Sequence, residues 1–221
     1  MSTLVIIPAK PYAEAKSRLA SCLSAEQRRA LSRYLLLRTV RLAAAATGKV
    51  LVISRDPALL DEARAAGAMG LLEEQIGLNP ALEQATHFAR HGAARAVLVL
   101  PADLPLLTSQ DIEGILACAT RPPMVAIAPC RHGVGTNALL ICPPGLVGYA
   151  FGPDSFRVHR AAAEASGAQV RVVRSPGLAF DLDTTEDWAD LRAAQHLDGY
   201  ASTYAAAVVS ITAITEHPEK L

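Results

Sequence analysis

The stretch VLVLPADLPLL, residues 97–107, decides the fold: four apolar residues run directly into an aspartate, Asp103, framed by Pro101 and Pro105. A short apolar run bounded by turn residues reads as a strand covered on both faces, as in a parallel sheet. Open α/β sheets bind their ligands beyond the carboxyl ends of such strands. The two prolines make the exit a stiff extended turn, which suits a side chain whose position must be held. Asp103 is therefore a candidate ligand-facing carboxylate, with an ordinary Asx turn as the alternative.

A second stretch, AFDLDTTEDW at 179–188, has the same form and ends in Asp181 and Asp183. Residues two apart in extended backbone share a face, so both carboxylates would point the same way. Three carboxylates at two strand ends would suit Mg²⁺, which takes hard oxygen ligands and commonly bridges to substrate phosphates. Asp183 could equally do no more than precede a helix capped by Thr184, with Asp187 three residues on. A third stretch, PAKPYAEAKSRL at 8–19, follows the apolar residues 4–7 and carries Lys10, Lys16 and Arg18. These cations could meet nucleotide phosphates or be solvated surface charges; the stretch has no glycine and is not a glycine-rich phosphate loop. A metal on one side and cations on the other suggest phosphoryl or nucleotidyl transfer.

The surrounding chain alternates strand and helix signals. Apolar runs at 4–7, 50–54, 96–100, 124–128 and 170–173 predict strands, with 137–141 as a further candidate. Helix starts are predicted at Ser24 with Gln27 three on, at Asn79 with Pro80 in first position, and at Thr108 with Asp111 three on. Gly92 and Gly167 read as left-handed helix stops. This rhythm predicts an α/β fold: a single-domain, Rossmann-like, mostly parallel sheet with helices on both faces. Residues 1–195 would form the domain and 196–221 a C-terminal extension, an extra helix or interface segment compatible with a homodimer. The Gly- and Pro-rich residues 129–155 read as a substrate-holding loop region.

Composition narrows the function class. Among 221 residues, Lys plus Arg and Asp plus Glu are both 21, so no overall field draws the chain to nucleic acid or an anionic membrane. The apolar stretches at 4–7 and 204–214 are too short to span a bilayer, and the amino terminus has no basic region of a secretory signal, which predicts a cytoplasmic protein. Cys22, Cys118, Cys130 and Cys142 lack metal or redox spacing and read as buried free thiols. Glu83, His87 and His91 share a helical face but lack the HExxH pattern, and read as surface. No GxSxG hydrolase motif occurs.

Taken together, IIPAK with AEAKSRL, GLNPAL at 77–82, LPADLPLL, APCRHGVGTNALL, FGPDSFRVH and FDLDTTEDW resemble the family of 2-phospho-L-lactate guanylyltransferases. Members of that family also act as phosphoenolpyruvate guanylyltransferases in the biosynthesis of coenzyme F420. The resemblance runs from Val5 to Leu191. It implies the nucleotidyltransferase version of a Rossmann-like sheet, similar to enzymes that attach GMP to molybdopterin. It also implies GTP and a small phosphorylated carboxylic acid as substrates. Asp103, Asp181 and Asp183 would hold Mg²⁺, and Asp103 and Lys16 would be catalytic. Lys10, Lys16 and Arg18 would lie by the GTP phosphates, Gly77, Leu78 and Asn79 by guanine, and Thr136, Gly152 and Ser155 by the acid. His132 and His159 match family positions with no role beyond shaping the acid site. Cys130 departs from the polar residue of many relatives, and the tail after His196 has no counterpart. A same-fold enzyme with another acceptor, a glycosyltransferase and a non-catalytic nucleotide-binding protein are the competing readings.

Overall fold

The computed structural model describes residues 2–193 and 202–220. Its centre is a seven-stranded sheet in the order β3-β2-β1-β4-β6-β5-β7. The strands are β1 (Thr3–Pro8), β2 (Val50–Ser54), β3 (Met69–Leu72), β4 (Ala96–Val99), β5 (Met124–Pro129), β6 (Thr136–Cys142) and β7 (Gln169–Val172). All neighbours pair in parallel except β6, which runs antiparallel between β4 and β5. The chain builds β1, then β2 and β3 to one side, and returns through β4 to the other side of β1. The order thus reverses between β1 and β4, which opens a crevice at their carboxyl ends.

Both sheet faces are covered, as the apolar runs require. Val5 and Ile7 pack into a core with Leu36, Val40, Leu59 and Ile112, whereas Leu4 and Ile6 pack into a second core with Leu82 and Ala85. Helices α1 (Ala25–Thr47), α2 (Pro57–Ala65) and α4 (Ser109–Leu116) cover the first face; α3 (Leu78–His91) and α5 (Ser155–Ala165) cover the second. Beyond them come α6 (Pro176–Ala179), α7 (Thr185–Ala193) and α8 (Ser202–Glu216). Each fully buried Ile or Leu side chain contributes about 1.5–3 kcal/mol over an exposed one, so these two layers carry most of the hydrophobic stabilisation.

The capping boxes at Ser24/Gln27 and Thr108/Asp111 form as the sequence predicts. Other expectations need correction. α3 begins at Leu78, and its cap is Gly77, two residues before the predicted cap at Asn79. Gly92 has φ −77°, and the left-handed residue is Ala93, φ 54°. β3 escaped the sequence reading because MGLL is a four-residue edge strand of mixed exposure with no β-branched residue. Residues 180–183 belong to no strand; they follow α6, whose first turn is set by Pro176 and the Ser175 cap. Cys22 is exposed, and the other three cysteines are buried free thiols.

The tail also has a place. α8 packs on α1, where Gln27 Nε2 donates to the Thr215 carbonyl at 2.7 Å. Ile211 is buried in a third core with Leu19, Leu31, Leu106, Leu182 and Trp188. Residues 196–201 of the expected extension lie outside the described residues.

Candidate active site

The crevice between β1 and β4 continues into a cavity of about 800 Å³, within the range that small-molecule sites occupy. Lys10, Lys16, Arg18, Gly77, Leu78, Asp103 and Asp183 line it. The chain leaving β1 enters a loop that closes in a short 3-10 turn, Ser17–Leu19, anchored by the buried Leu19. Lys16, just before that turn, takes a left-handed conformation, φ 55° and ψ 32°, uncommon for a side-chain-bearing residue. Its ammonium is thereby turned inward: Lys16 Nζ donates to Asp103 Oδ2 at 3.1 Å and to Asp183 Oδ1 at 2.9 Å.

The two acidic stretches are joined by backbone as well. The Leu182 N–H donates to the Asp103 carbonyl at 3.0 Å, so one segment is set against the other beside the β4 exit. The Lys16 side chain is only 9% exposed, whereas Asp103 keeps 29% and Asp183 43%. The lysine therefore reaches the carboxylates from the protein side and leaves them an open face toward the cavity. Burial works against the Lys16 charge, but the charges of Asp103 and Asp183 outweigh it and hold the ammonium protonated, its pKa raised. Burial likewise pushes the Asp183 carboxyl up; the Lys16 charge and hydrogen bond, aided by Arg18, win and keep it below the usual carboxylate range.

Asp181 is placed differently. It does not line the cavity wall, and its Oδ1 accepts from Asn137 Nδ2 at 3.2 Å. Burial raises its carboxyl pKa, and the charges of Asp103 and Asp183 add to the rise. That mutual repulsion is what a divalent cation would relieve. Among the described residues no three His, Cys, Asp or Glu side chains are drawn close enough to form a metal cage. Of the three aspartates, Asp103 and Asp183 alone share the cavity wall, and two carboxylates there suit a Mg²⁺ ion that keeps waters and takes phosphate oxygens as its remaining ligands.

The capping reading of the second acidic stretch is borne out at Thr184 and Asp187. Thr184 Oγ1 accepts from the Asp187 N–H, and Asp187 Oδ2 accepts from the N–H groups of Asp183 and Thr184 at 2.9 and 2.7 Å. Thr184 and Asp187 thus form the capping box of α7, and Asp183 is left to face Lys16. Arg131 secures the cap from outside: it pairs with Asp187 at 2.5 Å and Asp190 at 2.7 Å and lies over the Phe180 ring.

Thr136, Gly152 and Ser155 come together at the start of β6 and of α5, outside the residues lining the main cavity. The Thr136 N–H donates to Ser155 Oγ at 3.0 Å, and Thr136 Oγ1 meets His159 Nδ1 at 3.0 Å. Gly152 has φ +150°, where any side chain would be strained. Asn79 does not line the cavity; its amide donates to the Phe151 carbonyl and accepts from the Phe151 N–H, pinning the segment before Gly152. His132 is at the surface beside Arg131, and His87 and His91 are exposed on α3.

The sequence reading missed Asn137 and Arg131. Asn137 is an amide at the start of a buried strand, next to Thr136, and a buried polar side chain there needs partners. It finds them in Asp181 and the Ala179 carbonyl. Arg131 gave no local signal, because its carboxylate partners lie 56 and 59 positions away.

Comparison with known proteins gives the family. The family model described as "Guanylyl transferase CofC like" matches residues 3–209. The phosphoenolpyruvate guanylyltransferase of Rubrobacter xylanophilus is 46% identical over 194 residues, 87% of this chain and 95% of that protein. The 2-phospho-L-lactate guanylyltransferase of Methanothermobacter thermautotrophicus is 36% identical, over 86% of this chain and 84% of that protein. Among solved structures, a provisionally assigned nucleotide-diphospho-sugar transferase from Desulfovibrio desulfuricans G20 superposes with TM-score 0.73 at 17% identity, covering 98% of each chain. The 4-diphosphocytidyl-2C-methyl-D-erythritol synthase of Anaerococcus prevotii does so with TM-score 0.61 at 10% identity, over 89% of this chain and 96% of that one. At such identities the structures speak for a shared fold alone. The match over most of the length, with the charged crevice at the β1/β4 reversal, places this chain in the CofC-like guanylyl transferase family.

Proposed function

We propose that this protein moves GMP from GTP to the phosphate of a small phosphorylated carboxylic acid, phosphoenolpyruvate or 2-phospholactate, releasing pyrophosphate, as a step of coenzyme F420 biosynthesis. The observation that carries the reading is Lys16 shared between Asp103 and Asp183, with Lys10 and Arg18 on the same cavity wall. The names of the relatives support the two acids as candidates.

GTP enters with its phosphates toward Lys10, Lys16 and Arg18 and its base toward Gly77 and Leu78. Asp103, Asp181 and Asp183 would hold Mg²⁺, which when bound neutralises phosphate charge and supplies Lewis-acid polarisation. The acid docks at Thr136, Gly152 and Ser155. Its phosphate has a second pKa of about 6 and is already a competent nucleophile near neutral pH, so no general base is needed. A phosphate oxygen attacks the α-phosphorus of GTP, the bond from that phosphorus to the bridging oxygen breaks, and pyrophosphate leaves with the electron pair. The chain's contribution is positioning and charge: Lys16, held by two carboxylates, presents a fixed ammonium where negative charge develops.

The test is pyrophosphate release from GTP by the purified protein, with phosphoenolpyruvate, 2-phospholactate or 3-phosphoglycerate and a control lacking acid. Release with one of the first two acids, lost on chelation and restored by Mg²⁺, is expected. Silence with all three acids despite GTP binding would point to another acceptor and defeat the reading.

A further inference from the structure

His159 is fully buried on α5, and the reaction proposed above gives it no proton to carry. Its two ring nitrogens are nonetheless both engaged. Nε2 faces the Ala150 N–H at 3.0 Å. A nitrogen that accepts from a backbone N–H carries no proton, so the neutral ring must hold its proton on Nδ1. Burial keeps the ring neutral, its pKa pushed down to about 4. Nδ1–H therefore donates to Thr136 Oγ1 at 3.0 Å.

That direction fixes what Thr136 can do. With one lone pair taken by His159, its hydroxyl proton must leave along another direction. Among the described residues it has no further hydrogen bond. Ser155 is in the same condition: its Oγ accepts from the Thr136 N–H and gives its own proton to no described group. The two side chains are 7% and 2% exposed, yet each keeps a donor to spare, and buried donors left without an acceptor are costly. Two spare O–H donors side by side, at the start of β6 and of α5, suit the oxygens of an anion.

We propose that His159 is a positioning residue that holds the Thr136 hydroxyl as a hydrogen-bond donor to the acid substrate. This rests on the reading that Thr136, Gly152 and Ser155 hold that acid. The other ring nitrogen ties the same hydroxyl to the 149–152 segment, which Asn79 pins through Phe151. The histidine thus sets the donor direction and the loop position together.

Two experiments test this. In wild-type protein labelled with ¹⁵N-histidine, the His159 ring is expected as the Nδ1–H tautomer at pH 7.5; an Nε2–H tautomer or a charged ring overturns the proposal. In steady-state kinetics, His159→Gln keeps a polar atom near the Nε2 position but withdraws the donor to Thr136. It is expected to raise KM for the acid about tenfold, with KM for GTP within about twofold of wild type. His159→Asn, whose amide can occupy the Nδ1 position, is expected to retain most of the acid affinity. Thr136→Val separates the two ideas. If it leaves KM for the acid unchanged, the acid-site reading fails. If it raises that KM while His159→Gln does not, or if Gln and Asn act alike, the role of His159 is refuted.

Discussion

Lys16 shows how one side chain can both organise and serve a site. Its left-handed backbone turns the ammonium beneath two carboxylates that would otherwise repel each other across the crevice. Lys16→Ala is expected to lower kcat by about 10²–10³, the range for losing one preorganised electrostatic group, while the protein stays folded. Lys16→Arg should not rescue it, since the longer planar guanidinium must fit the nearly closed space that the compact ammonium fills, where the side chain is only 9% exposed. Single-turnover rates at saturating GTP and Mg²⁺ check this, and an alanine variant within threefold of wild type would remove Lys16 from the chemistry. The sequence offered Lys16 as one of three cations in a loop; nothing local distinguished it from Lys10, which is exposed. Its partners are 87 and 167 positions away, beyond any local pattern.

The segments around the site show where local signals suffice and where they mislead. Residues 180–183 alternate apolar and acidic side chains like a strand end, but the two carboxylates part company: Asp183 meets Lys16 at the cavity and Asp181 meets Asn137. The segment makes a single backbone bond to the β4 exit, from Leu182 to Asp103, in place of a ladder. Its geometry depends on α7, whose cap joins Thr184, Asp187 and Arg131. Thr184→Ala is expected to cost about 1 kcal/mol, and Thr184→Ser to restore most of it. Urea unfolding midpoints read this directly; no loss in the alanine variant would show that Asp187 and Arg131 hold the turn without the hydroxyl. Capping boxes at Ser24 and Thr108 were legible because their logic spans four residues, whereas the exposed edge strand β3 was not.

At the level of the fold, the strand order explains why a lysine after β1 meets an aspartate after β4. The two strands are neighbours and the chain turns opposite ways from them, so their exit loops share one crevice. Apolar runs made the parallel, doubly covered sheet legible; the antiparallel β6 was not, because strand direction depends on connections that periodicity does not encode. The apolar tail that suggested a dimer is in part used internally, with Ile211 and Thr215 buried where α8 meets α1. Among the described residues no helix is long and apolar enough to cross a membrane. Lys10, Lys16 and Arg18 line the crevice, while Thr136, Gly152 and Ser155 lie at the β6/α5 junction. The proposed reaction joins these two groups of residues. ³¹P NMR of the protein turning over GTP, Mg²⁺ and phosphoenolpyruvate or 2-phospholactate tests it: the expected spectrum gains free pyrophosphate and a mutually coupled pair of diphosphate signals joining GMP to the acid, whereas GDP with the acid's phosphate signal unchanged would contradict guanylyl transfer at this site.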